Sequence, residues 1–259
     1  MVTLSIRNLT KNFGGLTAID NVSLDVPRDS IFSVIGPNGA GKTSLFNVLT
    51  GVYQPDNGTI TWENRRLSGL APEWIARRGV ARTFQNIRLF GAMTVFENVF
   101  VAQHAHLRYN VFDSILRTHR FKRQEKEGSR KAYDLLGYFG FENRAGELAR
   151  NLPYGEQRKL EIARALALQP RLLLLDEPAA GLNPQETMDL RDLIRKIRAD
   201  FSLTILLIEH HMNMVMTLSD TVAVLDYGKK IEEGTPEAVR KSPAVIEAYL
   251  GKSAIGAAS

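Results

Sequence analysis

The sequence predicts an α/β fold with a largely parallel central sheet, a small antiparallel β piece near its start and an inserted helical stretch. "SVIGPNGAGKTSLFNVLTG", residues 33–51, reads as a buried strand, a glycine loop and a helix. "RLLLLDE" at 171–177 and "LTILLIEHH" at 203–211 are continuous apolar runs of the kind found in strands covered on both faces. Strand and helix patterns alternate after residue 168, whereas the stretch from about 86 to 168 is mostly helical in period.

Along the chain, residues 2–7, 22–26 and 31–35 are short β-prone runs separated by "KNFGG" and "PRDS", both turn chemistry. The helix after the glycine loop stops at Gly51. "DNGTITWENRRL", 56–67, predicts a small hairpin and so supplies the antiparallel piece. Thr94 with Glu97 three positions on is a capping-box pattern that opens a helix. Residues 115–131 gather Arg117, Arg120, Lys122, Arg123, Lys126, Arg130 and Lys131, read as a solvated helix face or loop. "NPQETMDLRDLIRKIRADF" predicts a helix with Asn183 as N-cap, Pro184 at its first position and Glu186 closing the box. "TVAVLDYGKKIEEGT" reads as two strands around a Tyr-Gly turn. Residues 1–252 are expected to form one domain, with core segments 1–85 and 169–252 and a helical subdomain over about 86–168. The 253–259 tail is expected to be flexible.

Composition narrows the class. The chain has 259 residues, enough for one large α/β domain, and its 44% hydrophobic and 24% charged content is ordinary for a soluble globular protein. No apolar run approaches the roughly 18 residues that a membrane span needs. "MVTLSIRNLTKNF" alternates polar and apolar residues and lacks the apolar run of a signal peptide. Cysteine is absent, which excludes disulfides and thiolate metal sites and fits a reducing cytosol. A net charge of +5 suits phosphate ligands or an anionic surface as well as simple solubility.

The chemistry-bearing residues begin in the glycine loop. Gly36, Pro37, Asn38, Gly39, Ala40, Gly41, Lys42 and Thr43, followed by Ser44, fit G-x-x-x-x-G-K-[ST] without exception. By average residue frequencies that pattern arises by chance in about one chain per hundred of this length. Glycines let backbone N–H groups turn inward around phosphate oxygens, and the helix start adds its dipole. Lys42 brings a compact charge to the β- and γ-phosphates, and Thr43 brings a hydroxyl to Mg²⁺. Asp176, at the carboxyl end of a buried strand, is placed to hold the Mg²⁺ shell. Glu177 follows it and is the candidate general base for an attacking water.

The loop at 36–43, Gln85 in "TFQN", the "LPYGEQ" run at 152–157, "LLLLDEP", "GLN" at 181–183 and a His in "LIEHH" come in one familiar order. Over about residues 2–250 the chain thereby resembles the ATP-binding-cassette ATPases. "FGGLTAIDNVSL", "VARTFQNIRLF", "MTVFENV" and "LDEPAAGLNP" further resemble the ATPase subunits of branched-chain amino acid importers, in particular the one with the longer helical insertion. The resemblance implies a P-loop core with ATP and Mg²⁺ as ligands. It implies that Phe13 stacks on adenine, that Gln85 touches Mg²⁺ and the water, and that His210, one residue past a strand's end, contacts the γ-phosphate. His211, where relatives commonly have an acid, is read as a surface residue. Gly181, Leu182 and Asn183 match the loop that joins two nucleotide sites across a dimer.

In the family, the segment that usually reads Leu-Ser-Gly-Gly-Gln closes over ATP held by the other subunit. Here Pro153 and Tyr154 replace its Ser and first Gly, while Gly155 and Glu156 follow. Pro suits a first helical turn, and Gly155 is expected to leave room for the phosphate. The lost hydroxyl is worth roughly 1.5–3 kcal/mol if bonded to a charged oxygen, so the site is read as altered yet competent. The resemblance also implies a head-to-tail dimer with a second cassette, a copy or a paralogue, and integral membrane permease subunits, with a solute-binding protein beyond them. Leu89 and Phe90, in an apolar run directly after Gln85, are expected to help line a groove for a permease helix. A peripheral place on the cytoplasmic face of the inner membrane follows, with a subunit soluble when isolated and no nucleic-acid partner. Urea and other small-solute importers, and more distantly lipopolysaccharide export, have similar ATPases. Soluble cassette ATPases acting on DNA or ribosomes usually carry two cassettes or a long coiled-coil insertion. A simple nucleotide kinase needs neither the 152–157 nor the 209–211 segment.

Overall fold

The computed structural model describes residues 2–106 and 118–250. Arg117 and the 253–259 tail lie outside the described residues. The chain divides into two compact units, one of Met1–Arg82 with Arg171–Ser259 and one of Thr83–Pro170. Helices follow in chain order as α1 (Lys42–Leu49), α2 (Pro72–Arg77), α3 (Val95–Gln103), α4 (His119–Tyr138), α5 (Tyr154–Ala167), α6 (Pro184–Asp200), α7 (Met212–Leu218), α8 (Pro236–Lys241) and α9 (Pro243–Leu250).

The first unit holds two sheets. β1 (Val2–Phe13), β2 (Leu16–Pro27), β4 (Asn57–Trp62) and β5 (Arg65–Arg66) form the antiparallel one, in the order β2-β1-β4-β5. β1 and β2 run 12 residues each, well beyond the expected 2–7 and 22–26. Bulges explain the difference: register shifts break the polar–apolar alternation after Ile6, and Asn8 (φ 50°) and Asn21 (φ 54°) take left-handed conformations near them. Pairing then continues through polar residues to Phe13 opposite Leu16.

The second sheet contains β3 (Ile31–Ile35), β6 (Val80–Arg82), β7 (Leu172–Asp176), β8 (Thr204–Ile208), β9 (Thr221–Asp226) and β10 (Lys229–Gly234), in the order β10-β9-β3-β8-β7-β6. All pairs are parallel except β10 with β9 at one edge. Every residue of β3, β7 and β8 is buried. The two-residue period sends neighbours to opposite faces. Phe32, Val34, Ala223 and Leu225 join a core with α1 and the antiparallel sheet. Ile35, Val222 and Val224 pack instead with Val215 of α7, Val239 of α8 and Val245 of α9. β6, α2, α7, α8 and α9 carry too few turns or alternations to be read from the sequence.

Helix starts follow their caps. Asn183 accepts from the Glu186 N–H at 2.9 Å while Glu186 accepts from the Asn183 N–H at 2.9 Å, with Pro184 first in α6. Thr94 and Glu97 do the same for α3. In the second unit, helix begins only at Val95; residues 83–94 are loop and turn. There α3 packs on α4 and α5.

One ionic contact ties the first unit together. Arg82, last in β6, donates from Nη2 to Asp176 Oδ2 at 2.7 Å and from Nη1 to Asn47 Oδ1 at 2.8 Å and Thr50 Oγ1 at 3.2 Å. Only 6% of the Arg82 side chain and 4% of the Asp176 side chain are exposed. Removing one partner of such a pair leaves an uncompensated buried charge. Arg82→Ala is therefore expected to lower the unfolding free energy by about 3 kcal/mol, and Asp176→Asn by a comparable amount, because it leaves the Arg82 guanidinium buried without its carboxylate. Guanidinium unfolding midpoints of the two variants check this.

Candidate functional site

The glycine loop leaves β3 at Gly36 and enters α1 at Gly41, and backbone geometry requires glycine at both. Their φ values are 150° and 98°, and an added Cβ would lie 2.1 Å from the Leu225 carbonyl oxygen or 2.2 Å from that of Ala18. Asn38, Gly39 and Thr43 are exposed on the loop, Pro37 and Ser44 are half-buried, and Ala40 is buried. Lys42 is buried, and its Nζ donates to the carbonyls of Gly36 at 2.7 Å and Pro37 at 2.9 Å. Burial lowers its pKa, and Glu177 and Asp176 oppose that shift through their charge. The lysine thus lies in the field of both acids.

Those acids end β7. Asp176 is buried and clamped by Arg82, and Glu177 turns away with φ 45°, a left-handed conformation strained for a residue with a side chain. Its N–H donates to Ile208 O at 2.9 Å, which holds the turn against β8. His210 Nδ1 stands 3.5 Å from Glu177 Oε2. Lys42, Asp176, Glu177 and His210 therefore gather at the carboxyl ends of adjacent parallel strands, where open α/β sheets bind ligands. Oxygen donors on Thr43 and Asp176, with Lys42 and a glycine cradle beside them, fit a hard cation carried by an anionic ligand.

Two readings need correction. β8 ends at Ile208, so His210 is the second residue past the strand and Glu209 intervenes. His211 is not a plain surface residue, because its Nδ1 lies 3.1 Å from Glu209 Oε2. Glu209, His210 and His211 offer potential ligand atoms within 4.8 Å of one another. Both Glu209 oxygens, however, already accept N–H groups.

In the second unit Gln85 is exposed and its backbone is fastened to α5. Arg158 donates from Nη1 to Phe84 O and from Nη2 to Gln85 O, each at 2.7 Å. Glu161, paired with Arg158 at 2.9 Å, accepts from the N–H groups of Phe84 at 3.4 Å and Arg88 at 3.2 Å. Burial pushes the Glu161 pKa up and Arg158 opposes it. Neither residue stands out in the sequence, where Arg and Glu three apart on a helix look like a surface pair. Burial gives the pair its role.

Pro153 is the N-cap of α5 and not part of its first turn, and no side chain caps this helix. Pro153 and Tyr154 are exposed, Gly155 is buried, and half-buried Glu156 pairs with Arg144. The exposed surface at this helix start thus comes from the two residues that depart from the family motif. Tyr154 is held along α5 by its hydroxyl, which accepts from Arg158 Nη2 at 3.2 Å. Phe90 is 47% exposed and Met93 36%, whereas Val95 is fully buried.

Phe13 is exposed at the end of β1, with Tyr53 edge-on at 5.0 Å. The sequence reading missed Tyr53 and also Tyr249 of α9. Burial pushes the Tyr249 phenol up to about 12, opposed by a hydrogen bond with the Gly36 backbone. The C-terminal helix thereby reaches the glycine loop.

Residues 19–180 match the family profile described as ABC transporter, and residues 229–255 that of the branched-chain amino acid ATP-binding cassette transporter. The high-affinity branched-chain amino acid transport ATP-binding protein LivG of Salmonella typhimurium is 50% identical over 250 residues, covering 96% of this chain and 98% of LivG. BraF of Pseudomonas aeruginosa, described in the same words, is 49% identical over the same shares. Among solved structures, a nucleotide-free ATP-binding cassette from an ABC transporter has a TM-score of 0.85 at 30% identity, covering 97% of this chain and 100% of its own. The ADP conformation of MJ1267, an ATP-binding cassette of an ABC transporter, has a TM-score of 0.84 at 30% identity over the same shares.

The buried Arg158–Glu161 pair generates a local prediction. Glu161→Gln should leave the chain folded but loosen residues 84–88, speeding amide exchange at Phe84 and Arg88 by about 10-fold, the equivalent of roughly 1.4 kcal/mol. Hydrogen exchange read residue by residue checks it; unchanged rates would mean that the pair does not hold the Gln85 loop.

Proposed function

The chain belongs to the ABC transporter ATP-binding proteins and is an ATPase, and on that premise we propose that it powers a membrane importer of branched-chain amino acids. The observation that carries the solute class is the 50% identity to LivG over nearly the whole of both chains. It favours branched-chain amino acids over urea import or lipopolysaccharide export.

The site supports a division of labour. Backbone N–H groups of residues 36–43 and the Lys42 ammonium bind the phosphates, and approach of that charge offsets the burial that lowers the Lys42 pKa. Phe13 takes the adenine ring. Thr43, Asp176 and Gln85 would hold Mg²⁺, which would neutralise charge on the phosphates. Glu177 accepts the proton of the water that attacks the γ-phosphorus, and its strained backbone fixes where its carboxylate points. His210, beside it, donates to the γ-phosphate. Residues 153–156 of a second cassette close over that phosphate in a head-to-tail dimer, and the Gly181–Asn183 loop joins the two sites.

Hydrolysis and dimer opening then move permease subunits that engage Leu89 and Phe90, with solute delivered to them by a binding protein. The subunit sits peripherally at the cytoplasmic face of the inner membrane. Among the described residues, no helix is long and apolar enough to cross a membrane.

Glu177→Gln should keep ATP binding while turnover falls on the order of 10²- to 10⁴-fold, leaving an ATP-bound dimer visible by size-exclusion chromatography with Mg-ATP. Unchanged hydrolysis would remove Glu177 from the role of base. Phe90→Ala should leave the unfolding free energy within about 1 kcal/mol of the parent and ATP affinity unchanged, yet uncouple hydrolysis from transport in reconstituted vesicles. Normal transport by a destabilised Phe90→Ala protein would make Phe90 a packing residue.

A further inference from the structure

Glu209 takes no part in the division of labour above, yet it is fully buried between the two loops that carry Glu177 and His210. Its Oε1 accepts from the N–H of Ala179, two residues after Glu177, at 2.9 Å. Its Oε2 accepts from the N–H groups of His210 at 3.0 Å and His211 at 3.2 Å, and lies 3.1 Å from His211 Nδ1. One side chain therefore joins the loop after β7 to the loop after β8. The Glu177 N–H bonded to Ile208 O at 2.9 Å makes a second link one residue earlier. Between these links His210 Nδ1 and Glu177 Oε2 stand 3.5 Å apart, although the His210 side chain is 47% exposed.

Burying a carboxylate costs heavily unless its oxygens are satisfied. An apolar residue at 209 would simply extend the apolar run of β8, so packing alone does not call for an acid there. The converging N–H donors do.

We propose that Glu209 is a positioning residue for ATP hydrolysis: it locks the loop that starts at Glu177 to the loop that carries His210, so that both face one phosphate. The inference rests on the assignment of Glu177 and His210 made above. Glu209 itself is shielded from nucleotide and acts through His210. His211 completes the carboxylate's set of donors and likewise acts through Glu209. Because residues 36–43 and Lys42 bind the phosphates independently of this link, loosening it should slow turnover without weakening ATP.

The test is a double-mutant cycle in the full-length chain within its assembled transporter. Glu209→Gln keeps the volume but turns an amide NH₂ toward N–H donors on one side or the other. It is expected to lower kcat on the order of 10- to 100-fold, the scale of a small misplacement of a reacting group, with the KM for ATP unchanged within about two-fold. In a His210→Ala background the same change should cost less than about two-fold, because residues that act as a unit are not additive. A merely structural role would cost the same in both backgrounds, and that additive result overturns the proposal, as does an unchanged kcat. If Glu209→Gln fails to fold, His211→Phe keeps a ring and removes one donor. A loss of about three-fold in kcat that disappears with His210→Ala is then expected, and no loss overturns the proposal. His210→Ala with full turnover would instead overturn the role of His210, a result distinct from additive losses.

Discussion

Parallel pairing of β3, β8 and β7 sets Val34 opposite Ile208 and Ile208 opposite Asp176, and the rest of the site depends on that register. Three strands end at one level, so three loops leave the sheet side by side. The first carries the glycines and leads into Lys42, the second starts at Glu177 directly after Asp176, and the third carries Glu209 and His210. A one-residue slip in any strand would exchange its core face for the opposite one. Burial of every residue in these strands opposes such slips.

Within each unit, buried charges do what apolar packing cannot. Hydrophobic contacts are non-directional and fix volume, whereas a buried carboxylate accepts only donors that approach its oxygens correctly. Arg82 fixes the Asp176 carboxylate and ties it to α1 through Asn47 and Thr50. Arg158 and Glu161 fasten the backbone of residues 84–88 to α5. Glu209 fastens the loops after β7 and β8. In each case the charge holds backbone or an acid in place.

The altered signature fits the same pattern. α3 and α6 begin with side-chain caps that satisfy their first N–H groups, and α5 begins with Pro153 and has none. A helix start built this way offers backbone donors and dipole without the family's hydroxyl. Gly155 is buried, so the exposed surface there is that of Pro153 and Tyr154.

Local chemistry was legible in the sequence because it is local. The glycine loop, the capping boxes at Thr94 and Asn183, the Tyr-Gly turn and the buried run ending in Asp176 depend on residues a few positions apart. Each appears in the structure where the spacing puts it. The long β1–β2 pair was shortened in the reading because bulges at Asn8 and Asn21 break the two-residue period, which is the only signal a single strand gives. Arg82, Arg158, Glu161 and Glu209 looked like ordinary charged residues. Their partners lie as far away in sequence as Asp176 from Arg82, Phe84 from Arg158 and Ala179 from Glu209. Only the tertiary structure decides whether a charge meets water or is buried against a chosen donor, because burial is a property of the packed chain and not of the residue.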